Sequence, residues 1–289
     1  MDRGPRQTPD VRDGLVLVDK PGGVTSHDVV DAVRRALGTR KVGHAGTLDP
    51  MATGLLVVGV GRATRLLRFF GDLPKTYEGT ARLGIETDTL DADGAVVRTT
   101  PVEVSLVDLE RRFAEHLGGS MQRPPAYSAV KVGGRKLYEA AREGRTLEAP
   151  PRPIHVERFS VRAFDGSDVE FVVTCSGGTY VRVLLADVGT ALGCGAHLRR
   201  LRRVAIGPYR VEDAVAPVDV RTPSPVEAAV AHLPRLDLSP EEAVAARHGR
   251  ILAPGGIVGP YGVFDPDGAL VGIYEDEGAK ARPRVILPR

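Results

Sequence analysis

Residues 40–54 place three side chains that could do chemistry between glycines. The segment reads RKVGHAGTLDPMATG, with His44, Thr47 and Asp49 ahead of an apolar run. Its glycines permit backbone shapes that other residues resist, and they let a ligand come close to the main chain. A carboxylate in such a loop can act as a nucleophile, but an aspartate here also commonly forms a turn with its own backbone. The loop is therefore a candidate site, and composition alone does not decide whether Asp49 is a nucleophile or a turn-forming residue.

Two clusters of arginine could bind an anion. Residues 197–210 hold five arginines and no acidic residue, and Arg62, Arg65 and Arg68 follow one another at helical spacing. Such runs normally form a solvated face, but two of them in one chain favour contacts with the phosphates of a nucleic acid. With seven Tyr, seven Phe and no Trp, the aromatic side chains are too few for a broad stacking platform. They allow a pocket for one or two bases instead.

The composition excludes several other classes of protein. The chain has 289 residues, of which 42% are hydrophobic, so it can bury a sizeable core. No apolar run approaches the roughly 18 residues of a membrane span, and the polar N-terminus lacks a signal-like segment. Two cysteines are too few for a disulfide framework, and the histidines lack the spacing of a metal site. The net charge of +2 combines +6 over residues 1–210 with −4 over residues 211–289.

Helix and strand patterns alternate irregularly along the first two thirds of the chain. Helices are predicted over 25–37 with Ser26 as the N-cap, and over 63–70, 105–117, 136–142 and 180–192. The helix over 105–117 has an apolar stripe of Leu106, Leu109, Phe113 and Leu117. Strands are predicted over 14–19, 55–60, 77–83, 154–164 and 169–175, with loops over 40–54 and 119–135. This order predicts an α+β fold instead of a doubly wound sheet.

The two ends of the chain depart from this pattern. Residues 1–13 have the composition of a disordered leader. Residues 221–240 are punctuated by prolines, which is typical of a domain boundary. Residues 241–289 combine one short helix with strand-like pieces around Gly-Pro turns. We therefore expect a small, mostly β domain at the C-terminal end.

Six collinear segments of the chain resemble the bacterial tRNA pseudouridine-55 synthases, the TruB family. They are GLVLVDKPGGVTSHDVV (14–30), KVGHAGTLDPMATGLLVVGVGRATR (41–65), KTYEGTARLGIETDTLDADG (75–94), RPPAYSAVKVGGRKLYEAAREG (123–144), CSGGTYVRVLLADVG (175–189) and GAHLRRLRRVAIGPY (195–209). The resemblance implies a pseudouridine synthase fold over 14–230, with a mixed, mostly antiparallel central sheet flanked by helices and loops. It also implies a small β-rich, PUA-like RNA-binding domain over 235–289.

The resemblance implies an activity as well. The family converts one uridine of the tRNA T-loop to pseudouridine: the uracil leaves C1′ through N1, turns and rejoins through C5. The target base is flipped into a pocket, and the reaction uses no cofactor and no metal. We therefore expect an isomerase that binds the T-stem–loop of tRNA and acts in the cytoplasm as a monomer.

The family's functional residues fall on matching positions of this sequence. Asp49 is the expected nucleophile, Arg182 would keep it ionised by lowering its pKa, and Tyr77 would stack on the uracil. Whether Asp49 attacks C1′ or C6 or assists a glycal route stays open, as does the group that removes the C5 proton. The other residues expected to line the pocket or to bind RNA are Lys20, His44, Lys131, Arg135, Lys136, Tyr180, Arg199, Leu201 and Arg202.

Some of these expectations are more specific. His44 would lie beside the flipped nucleotide, and Lys20, in a Lys-Pro-Gly-Gly turn, would support the wall of the active site. The segment 123–144 would clamp the T-stem–loop, with phosphates meeting Lys131, Arg135 and Lys136. Two alternatives remain: a synthase that depends on a guide RNA, and a tRNA-folding factor without required catalysis. The presence of segment 123–144 argues against the first, and the set of Asp49, Tyr77 and Arg182 argues against the second.

Overall fold

The computed structural model describes residues 13–128, 130–145 and 147–288, and at residues 136, 141 and 142 it describes the backbone only. The leader predicted for residues 1–13 therefore lies outside the described residues, except for its last one. Asp13 accepts a hydrogen bond of 2.8 Å from the backbone N–H of Arg62 and forms an ion pair with its guanidinium. A charged partner thus holds Asp13, and disorder of the leader stays a prediction.

Thirteen strands lie in the described part of the chain before residue 211. They are β1 (Gly14–Lys20), β2 (Val42–Ala45), β3 (Thr53–Val60), β4 (Lys75–Leu83), β5 (Ile85–Thr87), β6 (Val96–Thr99), β7 (Gly118–Gln122), β8 (Lys131–Val132), β9 (Arg135–Lys136), β10 (Arg152–Phe164), β11 (Asp168–Cys175), β12 (Ala196–Ile206) and β13 (Tyr209–Arg210). The helices are α1 (Ser26–Leu37), α2 (Leu106–Ala114), α3 (Leu137–Arg142) and α4 (Val181–Ala191).

One large sheet holds the main part of the molecule together. Its strand order is β1-β3-β12-β4-β11-β10-β7, with β2 added beside β3 and β13 beside β12. Only the short pairing of β3 with β12 is parallel, so the sheet is mixed and mostly antiparallel, as predicted. Gly54 allows that pairing: its φ is +99°, and a Cβ there would lie 2.3 Å from the carbonyl oxygen of Arg203. A close backbone approach thus joins β12 to the start of β3.

Helices α2 and α4 cover one face of this sheet. Leu109, Phe113, Leu184 and Val188 pack there against the apolar side chains of β4, β10 and β11. The predicted stripe of α2 is only half right, because Leu106 and Leu117 are about half exposed. The helix is shorter than predicted and ends at Ala114, so Leu117 lies beyond its last turn.

Two predicted loops and one predicted helix need correction. The loop predicted over 40–54 is shorter, because Val42–Ala45 pairs with β3 as a strand and Thr53 already belongs to β3. The loop predicted over 119–135 contains β7 and the hairpin β8–β9. Residues 63–70 form two 3-10 turns, Gly61–Arg65 and Leu67–Phe70, instead of an α-helix. Strand pairing decides the first two cases, and it is invisible to local periodicity.

The N-cap of α1 is also corrected. Thr25, not Ser26, caps the helix: its side chain accepts from the N–H of Asp28, whose carboxylate accepts from the N–H of Thr25. Ser26 is released for another contact, described below. Thr25 and Ser26 are adjacent and both are favoured N-cap residues, so only the backbone geometry shows which of them caps the helix.

The C-terminal region forms a separate small sheet. It consists of β14 (Arg235–Asp237), α5 (Pro240–Arg247), β15 (Pro260–Phe264), β16 (Leu270–Glu277) and β17 (Lys280–Ile286). The four strands follow the order β14-β15-β16-β17, which confirms a small β-rich region with one helix. Phe264, Ile273 and Val285 pack against Leu55, Phe70 and Tyr209 in one continuous apolar cluster. The small sheet is therefore docked on the large one through a shared core.

Candidate active site

The loop between β2 and β3 carries the candidate nucleophile. Gly46 has a φ of +83°, and the N–H of Ala52 donates to the carbonyl of Asp49 at 3.1 Å. The hydroxyl of Ser26 accepts from the N–H of Leu48 at 2.9 Å and donates to its carbonyl at 3.2 Å. The first turn of α1 therefore fixes the residue that precedes Asp49.

Lys20 fixes the loop from the other side. Its fully buried ammonium group donates to the carbonyls of Pro21, Val24 and Pro50 at 2.9, 2.7 and 3.1 Å. Burial lowers the pKa of Lys20 to about 8, although the carboxylate of Asp49 opposes the shift. The expected support of the active-site wall is thus present. All three donors of Lys20 are used inside the protein, and a contact of Lys20 with RNA stays a prediction.

Asp49 and Arg182 lie side by side. Nη2 of Arg182 is 3.3 Å from Oδ2 of Asp49, and Nη1 is 3.4 Å from Oδ2 of Asp91. The guanidinium also donates to the carbonyls of Thr89 and Tyr127, at 3.2 and 2.6 Å. Only 4% of the Arg182 side chain is exposed, against 40% of that of Asp49. A rigid, buried cation thus holds a carboxylate that remains open to the solvent.

Asp91 is a site residue that the sequence interpretation missed. Its turn sequence, Asp-Ala-Asp-Gly, is ordinary, and nothing in its spacing connects it with Arg182. In the fold, Asp91 is buried, and its Oδ1 accepts hydrogen bonds from the hydroxyl of Thr89 and the N–H of Asp93. It therefore supplies a second carboxylate that orients the guanidinium of Arg182.

The electrostatic balance at Asp49 differs from the prediction. Burial raises the pKa of Asp49 above its ordinary value, while the guanidinium of Arg182 lowers it and the carboxylate of Asp91 raises it. The expected influence of Arg182 is present, but burial outweighs it. The predicted lowering of the pKa of Asp49 by Arg182 is therefore present as one contribution, while burial sets the net direction.

Tyr77 and Arg203 form the floor of the site. They face each other across the antiparallel pairing of β4 and β12, so their side chains share one face of the sheet. Arg203 is 1% exposed and donates to the carbonyls of Leu55 and Gly46 at 2.8 and 3.0 Å. Burial raises the pKa of Tyr77, and Arg203, through its charge and a hydrogen bond, opposes the rise. Tyr77 is therefore a neutral phenol at neutral pH.

These groups open into one cleft of about 660 Å³. Six of the residues predicted for the site line it: His44, Asp49, Tyr77, Tyr180, Arg182 and Leu201. The structure therefore confirms that these residues meet in one place, although no two of the three expected catalytic residues are closer than 28 positions in the chain. A cleft of this size lies within the roughly 300–1,000 Å³ of ordinary ligand pockets, which is enough for a single base.

Gln122 holds Tyr180 in place. Its side-chain oxygen accepts from the N–H of Tyr180 at 2.8 Å, and its amide donates to the carbonyl of Tyr180 at 3.1 Å. Tyr180 caps the N-terminus of α4, so this clamp also fixes the start of the helix that carries Arg182. Gln122 was not predicted, because its role depends on the position of β7 at the far edge of the sheet.

His44 lies in the cleft wall as a neutral side chain. Burial lowers its pKa, and the positive charge of Arg203 lowers it further. A neutral imidazole can pack against a base or share a hydrogen bond with it. This environment agrees with the expected place of His44 beside the nucleotide and supplies no fixed charge for a phosphate.

The segment 123–144 forms a small hairpin beside the cleft. Ser128 and Val130 line the cleft, while Lys131 and Arg135 are exposed on strands β8 and β9. Arg135 forms an exposed ion pair with Glu143 at 3.3 Å. The side chain of Lys136 lies outside the described ones. Contact of these cations with RNA stays a prediction.

Arg199 and Arg202 do not point into the cleft. Arg202 lies opposite Glu78 in the β4–β12 pairing and so projects from the other face of the sheet, where it binds Asp19 through two bonds of 2.9 and 2.7 Å. Arg199 sits at a β-bulge and is paired with Asp168. We therefore no longer expect these two arginines to contact RNA in the cleft.

Two exposed arginines line the cleft instead. Arg68 ends the basic stripe seen in the sequence, and Arg152 begins β10. Neither forms an ion pair with another described residue, whereas Arg62 and Arg65 donate to the carbonyls of Pro288 and Ile286. Of the stripe, only Arg68 is therefore available to a ligand in the cleft.

Other kinds of chemistry find little support in the described residues. They contain no group of three or more His, Cys, Asp or Glu side chains that could hold a metal ion. None of their helices is long and apolar enough to cross a membrane. Cys175 and Cys194 are buried, and burial raises the pKa of the Cys175 thiol to about 11, so it is unsuited to nucleophilic attack.

Solved structures share this architecture over almost the whole chain. One, described as a Cbf5-Nop10-Gar1 complex, matches with a TM-score of 0.74 and 28% identity over 96% of this chain and 85% of that chain. Another, an H/ACA RNP bound to a substrate RNA containing 2′-deoxyuridine, matches with a TM-score of 0.72 and 25% identity over 96% and 86%. Together with the family match that follows, this fold defines the pseudouridine synthase class.

Sequence comparison identifies the family. Residues 34–181 match the description "TruB family pseudouridylate synthase (N terminal domain)", and 233–288 match "tRNA Pseudouridine synthase II, C terminal". The tRNA pseudouridine synthase B of Mycobacterium sp. (strain KMS) is 48% identical over 95% of this chain and 96% of its own length. That of Thermobifida fusca (strain YX) is 45% identical over 95% and 98%. The chain belongs to the TruB family.

Proposed function

We propose that this protein is a tRNA pseudouridine synthase that converts uridine 55 of the T-loop to pseudouridine. The observation that carries the proposal is the half-exposed carboxylate of Asp49, held 3.3 Å from the buried guanidinium of Arg182 in a cleft of a TruB-family fold. The curated relatives quoted above carry the name of this activity.

The reaction is an isomerisation. The N1–C1′ bond breaks and a C5–C1′ bond forms, while the proton on C5 is lost and N1 gains one. Atoms and electrons balance without an oxidant or reductant, so the chemistry itself requires no redox cofactor. It does require a group that assists cleavage of the glycosidic bond and a pocket that retains the detached uracil.

Asp49 is suited to the first requirement. A carboxylate can add to an electrophilic carbon and leave again, which divides one difficult step into two easier ones. Attack at C1′, attack at C6 and assistance to a glycal route all need an ionised carboxylate aimed into the cleft. Arg182 orients this carboxylate, because the position of its own guanidinium is fixed by Asp91, Thr89 and Tyr127.

The second requirement falls to Tyr77, Tyr180 and Leu201. The three side chains line the cleft next to Asp49, and two of them are aromatic. Stacking of a flipped base on an aromatic ring stabilises it against return to the RNA. The phenol of Tyr77 is protonated at neutral pH, so its ring is better suited to stacking than its oxygen is to removing the C5 proton.

The RNA outside the pocket would follow the rim of the cleft. Arg68 and Arg152 are placed to meet phosphates there, and segment 123–144 would clamp the T-stem–loop from one side. The domain limits of 14–230 and 235–289, with a PUA-like role in RNA binding for the second, belong to the same proposal. So do the monomeric state and the cytoplasmic location, which rest on family membership alone.

A guide-dependent synthase is the second candidate, because the similar solved structures are assemblies with partner proteins or a substrate RNA. Sequence identity favours the tRNA enzymes: it is 45–48% with the relatives above and 25–28% with those structures. A folding factor without catalysis would not need a carboxylate held beside a buried guanidinium.

Tritium release from tRNA transcripts labelled at uridine C5 tests the proposal. The wild type should release tritium from position 55 without a guide RNA or a partner protein. Asp49→Asn keeps the shape of the side chain but removes the nucleophile, so it should release none while binding tRNA within a few-fold of the wild type. Release by Asp49→Asn at the wild-type rate would contradict the assignment. Tight binding without release by either protein would favour the folding factor.

A further inference from the structure

Six buried side-chain atoms in the described part of the chain have no hydrogen-bond partner. Three belong to residues that line the cleft: His44, Ser128 and Arg182. The others are Nε of Arg34, Nε of Arg112 and Oδ1 of Asp168. Buried polar atoms without partners are rare in native proteins, so their concentration in one cleft calls for an explanation.

Ser128 differs from the other five residues. The guanidinium groups of Arg34, Arg112 and Arg182 are ion-paired through other nitrogens, and Asp168 is paired with Arg82 and Arg199. His44 lacks a partner at Nδ1, while its Nε2 is not among these buried atoms. Among these residues, Ser128 alone has its entire polar group unsatisfied. Its hydroxyl is buried, and the residue is 5% exposed in the wall of the cleft that it lines.

The backbone holds Ser128 firmly in this position. Its carbonyl accepts from the N–H of Tyr138 at 3.1 Å, at the start of α3. The preceding carbonyl, of Tyr127, accepts from Nη2 of Arg182, the same nitrogen that faces Asp49. Ser128 is therefore tied to the guanidinium that faces Asp49. Like Tyr77, it lines the cleft and is almost fully buried, with 5% of Ser128 and 9% of Tyr77 exposed.

We propose that the hydroxyl of Ser128 donates a hydrogen bond to a carbonyl oxygen of the flipped uracil and so helps to select and position the base. This inference rests on the proposed function. Ser128 and Tyr77 line the same cleft, and the part of a flipped nucleotide that enters such a cleft is the base. Uracil presents two carbonyl oxygens there, and an unpaired donor is the complementary group.

Ser128→Ala provides the first test. Loss of one substrate hydrogen bond should lower kcat/KM in tritium release about tenfold. Because the hydroxyl makes no bond inside the protein, the Tm should stay at or above the wild-type value. Ser105→Ala is the matched control: its hydroxyl caps α2 by accepting from the N–H of Asp108, so it should lower Tm and leave kcat/KM unchanged.

Substrate analogues provide the second test. Transcripts with 2-thiouridine or 4-thiouridine at position 55 replace one uracil oxygen by a weakly accepting sulfur. The wild type should be less active on one of these transcripts than on the uridine transcript. Ser128→Ala, which already lacks the hydrogen bond, should be as active on that transcript as on the uridine transcript. Wild-type activity in Ser128→Ala would overturn the inference, as would a fall in its Tm or equal sensitivity of both proteins to both analogues. An inactive wild type would instead overturn the proposed function.

Discussion

Strand β12 carries arginines on both faces of the sheet, and the arginines on the two faces differ in burial and in bonding partners. Arg203 points inward and is almost fully buried, with its donors on the carbonyls of Gly46 and Leu55. Arg202 points outward, is 42% exposed and binds the carboxylate of Asp19. Arg199, at the bulge, is similarly exposed and is paired with Asp168.

The difference shows that residue type alone does not define the role of these arginines. In a strand, neighbouring side chains leave opposite faces, and a bulge shifts that alternation by one residue. The inward arginine fixes the catalytic loop and the floor of the cleft. The outward ones form ion pairs in contact with water, which contribute about 0–1 kcal/mol each. Each prediction below contrasts an inner residue with an outer one.

Removal of Arg203 should have the largest effect. Arg203→Ala leaves two buried carbonyls without donors, and we expect it to cost about 3 kcal/mol of stability. Activity should fall with it, because Gly46 begins the loop of Asp49. Arg202→Ala should cost less than about 1 kcal/mol and keep its activity. Urea denaturation followed by tritium release measures both, and equal losses in the two variants would contradict the comparison.

Replacement of Arg182 should shift the pH dependence of the reaction. Burial already raises the pKa of Asp49, and Arg182 lowers it, so Arg182→Gln should raise it further. Because the ionised carboxylate is required, the acid limb of the kcat/KM profile should move to higher pH. Because the Asp49 carboxylate would no longer be oriented by Arg182, the rate at neutral pH should fall about 100-fold. Arg199→Gln, on the outer face, should leave the profile in place. An acid limb that moves to lower pH in Arg182→Gln would exclude this account.

Replacement of Lys20 should affect the chemical step more than binding. Lys20→Met keeps the aliphatic volume but frees the carbonyls of Pro21, Val24 and Pro50. A loosened catalytic loop should lower kcat between about 10- and 100-fold, with KM for tRNA little changed. The exposed Arg200 is the matched outer residue, and Arg200→Met should change neither constant. A rise in KM alone for Lys20→Met would instead indicate direct contact with RNA.

The smallest effects are expected from the exposed arginines. Arg68→Ala combined with Arg152→Ala should weaken tRNA binding several-fold and reduce the salt dependence of log K by roughly one unit for each lost phosphate contact. The pair Arg199→Ala and Arg202→Ala should leave that slope unchanged. Filter binding at several salt concentrations measures both. The opposite result would place the RNA on the outer face of the sheet.

Local patterns in the sequence predicted most of the elements. The helix with the Ser105 cap, the alternation over 77–83 and the paired strands near 154–175 all lie close to their predicted positions. Both wrong loop predictions fall where strand pairing decides the structure, at Val42–Ala45 and Gly118–Gln122, since such short segments have no periodicity of their own. The sequence also identified the candidate loop of Asp49, because a histidine, a threonine and an aspartate between glycines are an unusual combination that can be recognised before the fold is known.

The sequence by itself determined the motifs and, through their resemblance, the family, the candidate nucleophile and its expected partners. It did not determine which carboxylate besides Asp49 holds Arg182, or which arginine of the run at 199–203 faces the cleft. Those depend on a turn brought close by folding, on one β-bulge and on the parallel contact at Gly54. Each joins residues far apart in the chain, and their side chains acquire burial, partners and pKa shifts only when the sheet is assembled.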